Sequence, residues 1–341
     1  MTERVLSQRE LNRALLARQL LLERARLPLP RAVERMGGIQ AQYAPSAYIG
    51  LWSRVEGFER EQLTRALERR TLIQATLLRG TIHIVSRRDY WLWAEAIRES
   101  RREWLRRAWP KIAALDLESA GTRLREALRD GPRRRDELVA LVGKDEWQGA
   151  AVELVRVPPS GTWERRRADL FGLADDWVGP NEADAAAGRA LLVSRYLGAF
   201  GPARLGDIRS WSGLGRHEVE DVLAALSVRR FRDEQGKELV DLARAPLPDP
   251  ETPAPPRFIG TWDAILLVHV RRTGVLPEEL RPRIFHTKTP QSFNTFLVDG
   301  AVTGTWRFEE GRVRLEPLRR LTRAEREELE TEAERLSAFH A

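Results

Sequence analysis

The chain has 341 residues, 42% hydrophobic and 31% charged, with a net charge of +7 and a pI near 10.2. This is an ordinary globular composition; the lack of cysteine excludes a disulfide framework and thiolate chemistry, and no apolar run reaches membrane-spanning length. The excess positive charge points to a polyanion, most often nucleic acid, although the cations are nearly all arginine, lysine occurring only at Lys111, Lys144, Lys237 and Lys288.

In chain order, the start MTERVLSQRE is charged from its third residue and reads as no secretory signal, so a cytoplasmic, nucleoid-associated location is expected. Residues 7–26 predict a helix, with Ser7 as N-cap, Glu10 completing a capping box, and Leu11, Leu15, Leu16, Leu20 and Leu22 at roughly helical spacing. Pro28 and Pro30 end it, and Pro30 opens a second helix that reaches Gly37. Next comes Gly37-Gly38-Ile39-Gln40-Ala41-Gln42, whose glycines disfavour helix. In an extended chain Gln40 and Gln42 share one face and present two neutral amides to one point. An amide has one acceptor oxygen and two donor hydrogens, and can hold a water beside an electron-poor centre; two polar residues in a solvated turn would read the same.

Helices at 45–55 and 59–70 follow. Residues 72–85 alternate like two strands around Arg79-Gly80-Thr81, a turn or bulge, and His83 on the second strand reads as structural. Residues 89–107 form a tryptophan-rich helix; Trp91, Trp93, Trp104 and Trp109 read as core side chains rather than base-stacking ones. Helices followed by a hairpin are the order of a winged-helix unit.

A helix at 122–129, Gly131-Pro132, and a helix at 135–142 ended by Gly143 open a second unit. The same succession returns as 189–199, Gly201-Pro202, and 205–212 ended by Gly213. Arg134 matches Arg204, Glu137 matches Asp207, Leu138 matches Ile208 and Leu141 matches Trp211, each pair 70 positions apart; an internal repeat is a fold-level signal. A recognition-type helix is expected at 218–226 in the third unit and at 147–157 in the second. The proline-rich stretch 246–257 reads as a linker. Beyond it, 265–270 reads as a buried strand, 284–286 and 293–298 flank a polar tip at 287–292, and Asp299-Gly300 marks a hairpin. Strands at 303–308 and 313–315 extend this meander, and a charged helix at 322–339 begins at Thr322 with Glu325 three residues on. The expected fold class is mainly α with small β elements. It comprises tandem winged-helix (helix-turn-helix) units at 1–118, 119–182 and 183–245, the linker, and a β-rich C-terminal segment at 258–341 with hairpin and terminal helix.

Five stretches carry a resemblance. They are Gly38-Ile39-Gln40-Ala41-Gln42, Leu78-Arg79-Gly80-Thr81-Ile82-His83, Arg195-Tyr196-Leu197 through Gly201-Pro202-Ala203, Trp211-Ser212-Gly213-Leu214, and Val298-Asp299-Gly300 through Gly304-Thr305-Trp306. In this order the sequence resembles the winged-helix family that contains the AlkZ-type DNA glycosylases, bacterial enzymes that remove alkylated purines. The resemblance implies three tandem winged-helix units making a concave basic surface, with Gln40 and Gln42 in the catalytic paired-glutamine motif. Phe258-Ile259-Gly260-Thr261-Trp262-Asp263 and the tip at 287–292 depart from the family's pattern; in the family a hairpin here probes the DNA, so the departure bears on substrate range.

The chemistry implied is simple. Alkylation at N7 of guanine or N3 of adenine makes the base cationic, so it departs without strong acid help. What remains is to place a water and stabilise developing sugar cation character. Gln42 is expected to orient the water and Gln40 to support it or the sugar, or the reverse. The scarcity of lysine fits a monofunctional hydrolase rather than a Schiff-base lyase. The expected partner is double-stranded DNA with alkylated purines, including bulky N7 adducts or crosslinks, and a monomer is favoured. No cofactor is expected, and no metal, because His83, His217, His269, His286 and His340 lack ligand spacing. DNA contacts are expected from His286, Lys288, Gln291 and Asn294 around the tip, and from Arg133, Arg134 and Arg135 at a helix start beside Gly-Pro; both sets also read as solvated surface. The competing function is a non-catalytic winged-helix DNA-binding protein or transcription regulator. Against it stand the repeat within one chain and a glutamine pair with no evident use in base readout.

Overall fold

The computed structural model describes residues 3–108, 117–143, 151–267, 274–286 and 291–341. After a short strand β1 (Val5–Leu6), the Ser7 hydroxyl accepts from the N–H of Glu10, and the Glu10 carboxylate accepts from that of Ser7 at 2.8 Å, starting α1 (Gln8–Arg18). The helix expected through residue 26 stops at Arg18. Leu20 turns left-handed at φ 57°, and the N–H groups of Leu20 and Leu21 bond back to the carbonyls of Ala17 and Leu16. This is a Schellman closure without its usual glycine. Full burial of both leucines holds the chain in that conformation.

The elements up to the first long helix are α2 (Leu29–Arg35), β2 (Ile39–Gln40), α3 (Ala44–Trp52), α4 (Arg60–Glu68), β3 (Leu72–Thr76), β4 (Ile82–Ser86) and α5 (Arg87–Ala108). Then come α6 (Leu117–Leu128), β5 (Arg133–Arg134), α7 (Arg135–Val142), β6 (Leu154–Arg156), β7 (Leu170–Leu173) and α8 (Ala174–Val178). The six strands β2 to β7 form one antiparallel sheet in the order β2-β4-β3-β6-β7-β5. The β3–β6 pairing joins segments on either side of residue 118.

The repeated pair of helices continues in α9 (Ala185–Phe200) and α10 (Leu205–Ser212), followed by α11 (Arg216–Ala225) and the hairpin β8 (Val228–Asp233) and β9 (Glu238–Leu242), on whose edge β1 pairs in parallel. The two copies start their short helices alike. The carboxylate of Glu137 accepts from the Arg134 N–H at 2.8 Å, and that of Asp207 accepts from the Arg204 N–H at 3.3 Å. Gly143 and Gly213 close them at φ 92° and 77°. The C-terminal sheet is β10 (Arg257–Ile259), β11 (Thr295–Val298), β12 (Ala301–Glu309) and β13 (Arg312–Pro317), antiparallel in that order. Asp299-Gly300 and Glu310-Gly311 make its two tight turns, each with both residues at positive φ, the geometry that matches strand twist. The last helix, α14 (Arg323–His340), is capped by Thr322 and Glu325 as its sequence predicts.

Two expected elements differ. Residues 264–267 are not strand but a helical turn, α12 (Ala264–Leu267), because Trp262 is left-handed and the Asp263 carboxylate caps the Ile265 N–H at 3.1 Å; 268–270 lie outside the described residues. A short apolar run does not by itself distinguish helix from strand. In the second unit, the expected helix at 147–157 is strand β6 over its last part, fixed by ladders to β3 and β7, and 144–150 lie outside the described residues. Before the tip, Ile284 ends a short helix, α13 (Arg281–Ile284), and Phe285 bridges Ser292.

The central packing unit is α5 against α9. At Gly188 on α9, an added Cβ would lie 2.3 Å from the Leu92 carbonyl oxygen, so only glycine permits this approach. Trp93, 1% exposed, packs edge-on against Trp211 at 5.4 Å, while half-buried Trp91 donates to the Gly179 carbonyl at 2.9 Å. The side chain of Trp104 and all of Trp109 lie outside the described residues. A buried ionic node ties α1 to this core: Asp241, 0% exposed, takes a bidentate pair from Arg18 at 2.7 and 2.9 Å and a third bond from Arg229 at 2.8 Å.

Candidate active site

Gly37 and Gly38 both adopt positive φ, at 74° and 76°. A side chain at Gly37 would press on Ala199 and Phe200, and one at Gly38 on Trp93, at 3.0 Å in each case. The pair therefore brings α2 tightly over α9 and then delivers the chain as β2 alongside β4, where Gln40 lies opposite His83. The expected extended run is present through Gln40, and Ala41 continues it by donating to the Ile82 carbonyl at 2.8 Å.

Both glutamine amides meet the turn that links β3 to β4. The Gln42 oxygen accepts from the Ile82 backbone N–H at 2.6 Å, taking the place of the next ladder carbonyl. The Gln40 oxygen faces the Arg79 guanidinium, with a long contact of 3.5 Å to Nη2. A backbone N–H cannot accept, so the short Ile82 contact identifies the Gln42 amide atom it meets as oxygen. The two differ in exposure: Gln40 is 8% exposed, whereas Gln42 is open to solvent. Tyr43, exposed beside Gln42, accepts from Arg166 at 3.1 Å.

The sequence assigns Arg79 no site role, yet its guanidinium meets the Gln40 amide. Its backbone is left-handed at φ 53°. Its guanidinium donates to the Trp211 carbonyl at 2.6 Å, which ties the turn to α10. The sequence signals were its place in the Arg79-Gly80 turn and in one of the five stretches that carry the resemblance. Desolvation in this concave setting lowers its pKa below the usual arginine value. His83 is buried, with Nδ1 3.1 Å from the Thr81 carbonyl, and burial followed by repulsion from Arg79 pushes its pKa down to about 3. It is a neutral imidazole at working pH.

The other expected site residues lie elsewhere. Arg133 and Arg134 form β5, the edge of the sheet opposite β2. Five strand spacings separate the two edges, about 24 Å along an untwisted sheet. Arg133 donates to the Ala127 carbonyl at 3.1 Å, and Arg135, half-buried, lies 3.9 Å from Asp136. In the tip region His286 and Gln291 are exposed and joined by a backbone bond from the His286 N–H to the Gln291 carbonyl at 2.8 Å. The Asn294 amide oxygen is occupied by the Thr261 N–H at 2.9 Å. Lys288 lies outside the described residues. Among the described residues no group of three His, Cys, Asp or Glu could hold a metal ion, and no helix is long and apolar enough to cross a membrane.

A family model described as DNA glycosylase AlkZ-like matches residues 33–339. No curated protein sequence matches the chain. Among solved structures, Streptomyces sahachiroi DNA glycosylase AlkZ superposes with a TM-score of 0.81 at 19% identity, covering 99% of this chain and 98% of that one. At that identity the superposition speaks for the fold, helical with sheets; the family match covers the glutamine motif, the Arg79 turn and the C-terminal meander together, and on it the chain belongs to the AlkZ-like family of DNA glycosylases.

Proposed function

We propose that this protein is a monofunctional DNA glycosylase that hydrolyses the N-glycosidic bond of cationic alkylated purines: N7-alkylguanine, N3-alkyladenine, and bulky N7 adducts or crosslinks. The observation that carries the reading is the pair of amides gathered at one turn, one enclosed and one open. With its oxygen pinned by Ile82, Gln42 keeps a second lone pair and an NH2 group for a water and the sugar-phosphate chain. Gln40, enclosed beside Arg79, supports it. The water oxygen bonds to the sugar C1′, the C1′–N bond electrons leave with the purine and cancel its charge, and the water proton passes to solvent. No strong base is required because the leaving group is already activated.

We read the chain as winged-helix units at 1–118, 119–182 and 183–245, then the 246–257 linker and the segment 258–341. Supporting this are the matched carboxylate caps of α7 and α10 and the β8–β9 hairpin behind α10 and α11. The flanking DNA contacts are assigned to Arg133, Arg134 and Arg135 and to the tip residues His286, Lys288, Gln291 and Asn294. About 24 Å from the glutamine strand along the sheet, Arg133 and Arg134 suit a flanking phosphate contact rather than the reacting centre.

The test is abasic-site formation on duplex DNA carrying N7-methylguanine or a bulky N7 adduct, read by alkaline cleavage. Breakage that disappears in Gln40→Ala or Gln42→Ala supports the reading. Salt-sensitive binding with no breakage on either substrate makes the protein a DNA binder instead.

A further inference from the structure

A cleft of about 550 Å³ opens between α5, the Arg79 turn and the α10–α11 connection, and Arg79 links it to Gln40. Arg79, Arg209, Ser212 and Gly213 are among its walls, as are Glu99, Glu103 and Glu218, whose carboxylates pair with Arg102, Arg107 and Arg189. Among the described residues many arginines pair with a carboxylate, as Arg18 does with Asp241 and Arg195 with Asp89; Arg79 and Arg209 do not. Among the described residues, no acidic oxygen lies within 4.0 Å of either guanidinium. The other arginines lining the cleft are already matched, Arg101 by Glu153 and Arg107 by Glu103.

Arg79 has five N–H donors. Its Nη1 donates to the Trp211 carbonyl at 2.6 Å and its Nη2 faces the Gln40 oxygen at 3.5 Å, which leaves three donors. Its side chain is exposed yet surrounded by protein, as at the floor of a concave surface. Arg209 is exposed on α10, the helix whose Trp211 carbonyl anchors Arg79. Arg209 feels Glu220 only at longer range, and a fork of N–H donors with no acidic oxygen in contact is suited to a bidentate oxyanion.

We propose that this cleft is a phosphodiester subsite, in which Arg79 and Arg209 grip a backbone phosphate of the DNA strand next to the base being released. Resting on the glycosylase reading, this names the part of the substrate that the cleft takes. Because Arg79 also touches Gln40, a phosphate seated there places the strand against the glutamine that faces it.

The experiment is the salt dependence of binding to undamaged duplex DNA, by fluorescence anisotropy, for the wild type, Arg79→Gln and Arg209→Ala. Each lost phosphate contact should flatten the slope of log Kd against log salt by about 0.9. We expect a change of that size in each variant. Arg209→Ala keeps the test decisive if Arg79→Gln fails to fold, since Arg209 is exposed. Unchanged slopes in folded variants would overturn the proposal. Abasic-site formation by the wild type, measured separately, tells the two claims apart. Flattened slopes without base release leave the phosphate site standing and the glycosylase reading refuted. Base release with unchanged slopes does the opposite.

Discussion

Replacing Gln42 separates the chemical role of the motif from its structural one. In Gln42→Ala the Ile82 N–H loses its 2.6 Å acceptor. Because Gln42 is exposed, water replaces that acceptor, so the fold should lose only about 0.5–1.5 kcal/mol. Losing a positioned polar group that acts on the reacting atoms costs far more in rate, about 100- to 1,000-fold or ~2.7–4 kcal/mol. The expected outcome is therefore a nearly wild-type melting curve and a collapse of single-turnover abasic-site formation on N7-methylguanine DNA. Gln42→Glu sharpens the point, since a carboxylate still accepts from Ile82 and keeps an oxygen toward the water. If the oxygen is the working atom, this variant should be markedly more active than Gln42→Ala. The reasoning is refuted if Gln42→Ala releases base at the wild-type rate, or if its loss of rate is matched by loss of the folded state.

Asp241→Ala strands Arg18 in the core without a counter-ion, and should lower the unfolding free energy by about 3–5 kcal/mol in a urea titration; a loss below 1 kcal/mol would mean that Arg18 finds water. Gly188→Ala forces α5 and α9 apart around the Leu92 carbonyl, with an expected cost of about 1–3 kcal/mol and a shift in tryptophan emission as the Trp93–Trp211 contact loosens. His83 supplies a pH dependence. Its pKa is about 3 in the folded protein and 6.5 ordinarily, so the unfolded chain binds the extra proton between those values. Stability contributed by the neutral ring is thus present above pH 6.5, declines as the pH falls, and is lost on the order of 4 kcal/mol by pH 3. Urea midpoints measured from pH 7 to 4 should fall less steeply in His83→Gln; parallel slopes would show that His83 is not the group responsible.

What the sequence determined by itself was local. The capping boxes at Ser7 and Thr322, the Asp299-Gly300 turn, the extended course of Gln40 after two glycines and the helix starts repeated 70 residues apart all depend on neighbours within a few positions. Those interactions are encoded wherever the chain goes. The family resemblance added the role expected of the glutamines, which spacing alone left open between a site and a solvated turn.

Only the tertiary structure decided the rest, because it depends on partners far along the chain. Burial of Leu20 and Leu21 holds a leucine left-handed and ends α1 where no glycine marks a stop. Pairing with β3 makes 154–156 a strand, and the Asp263 cap makes 264–267 a helical turn. Residues 133–134 share one sheet with the glutamine motif yet sit at its opposite edge, a distance no spacing could express. Arg79 is local to a turn in sequence, but its bond to Trp211, 132 residues away, aims its charge at Gln40 and the open cleft.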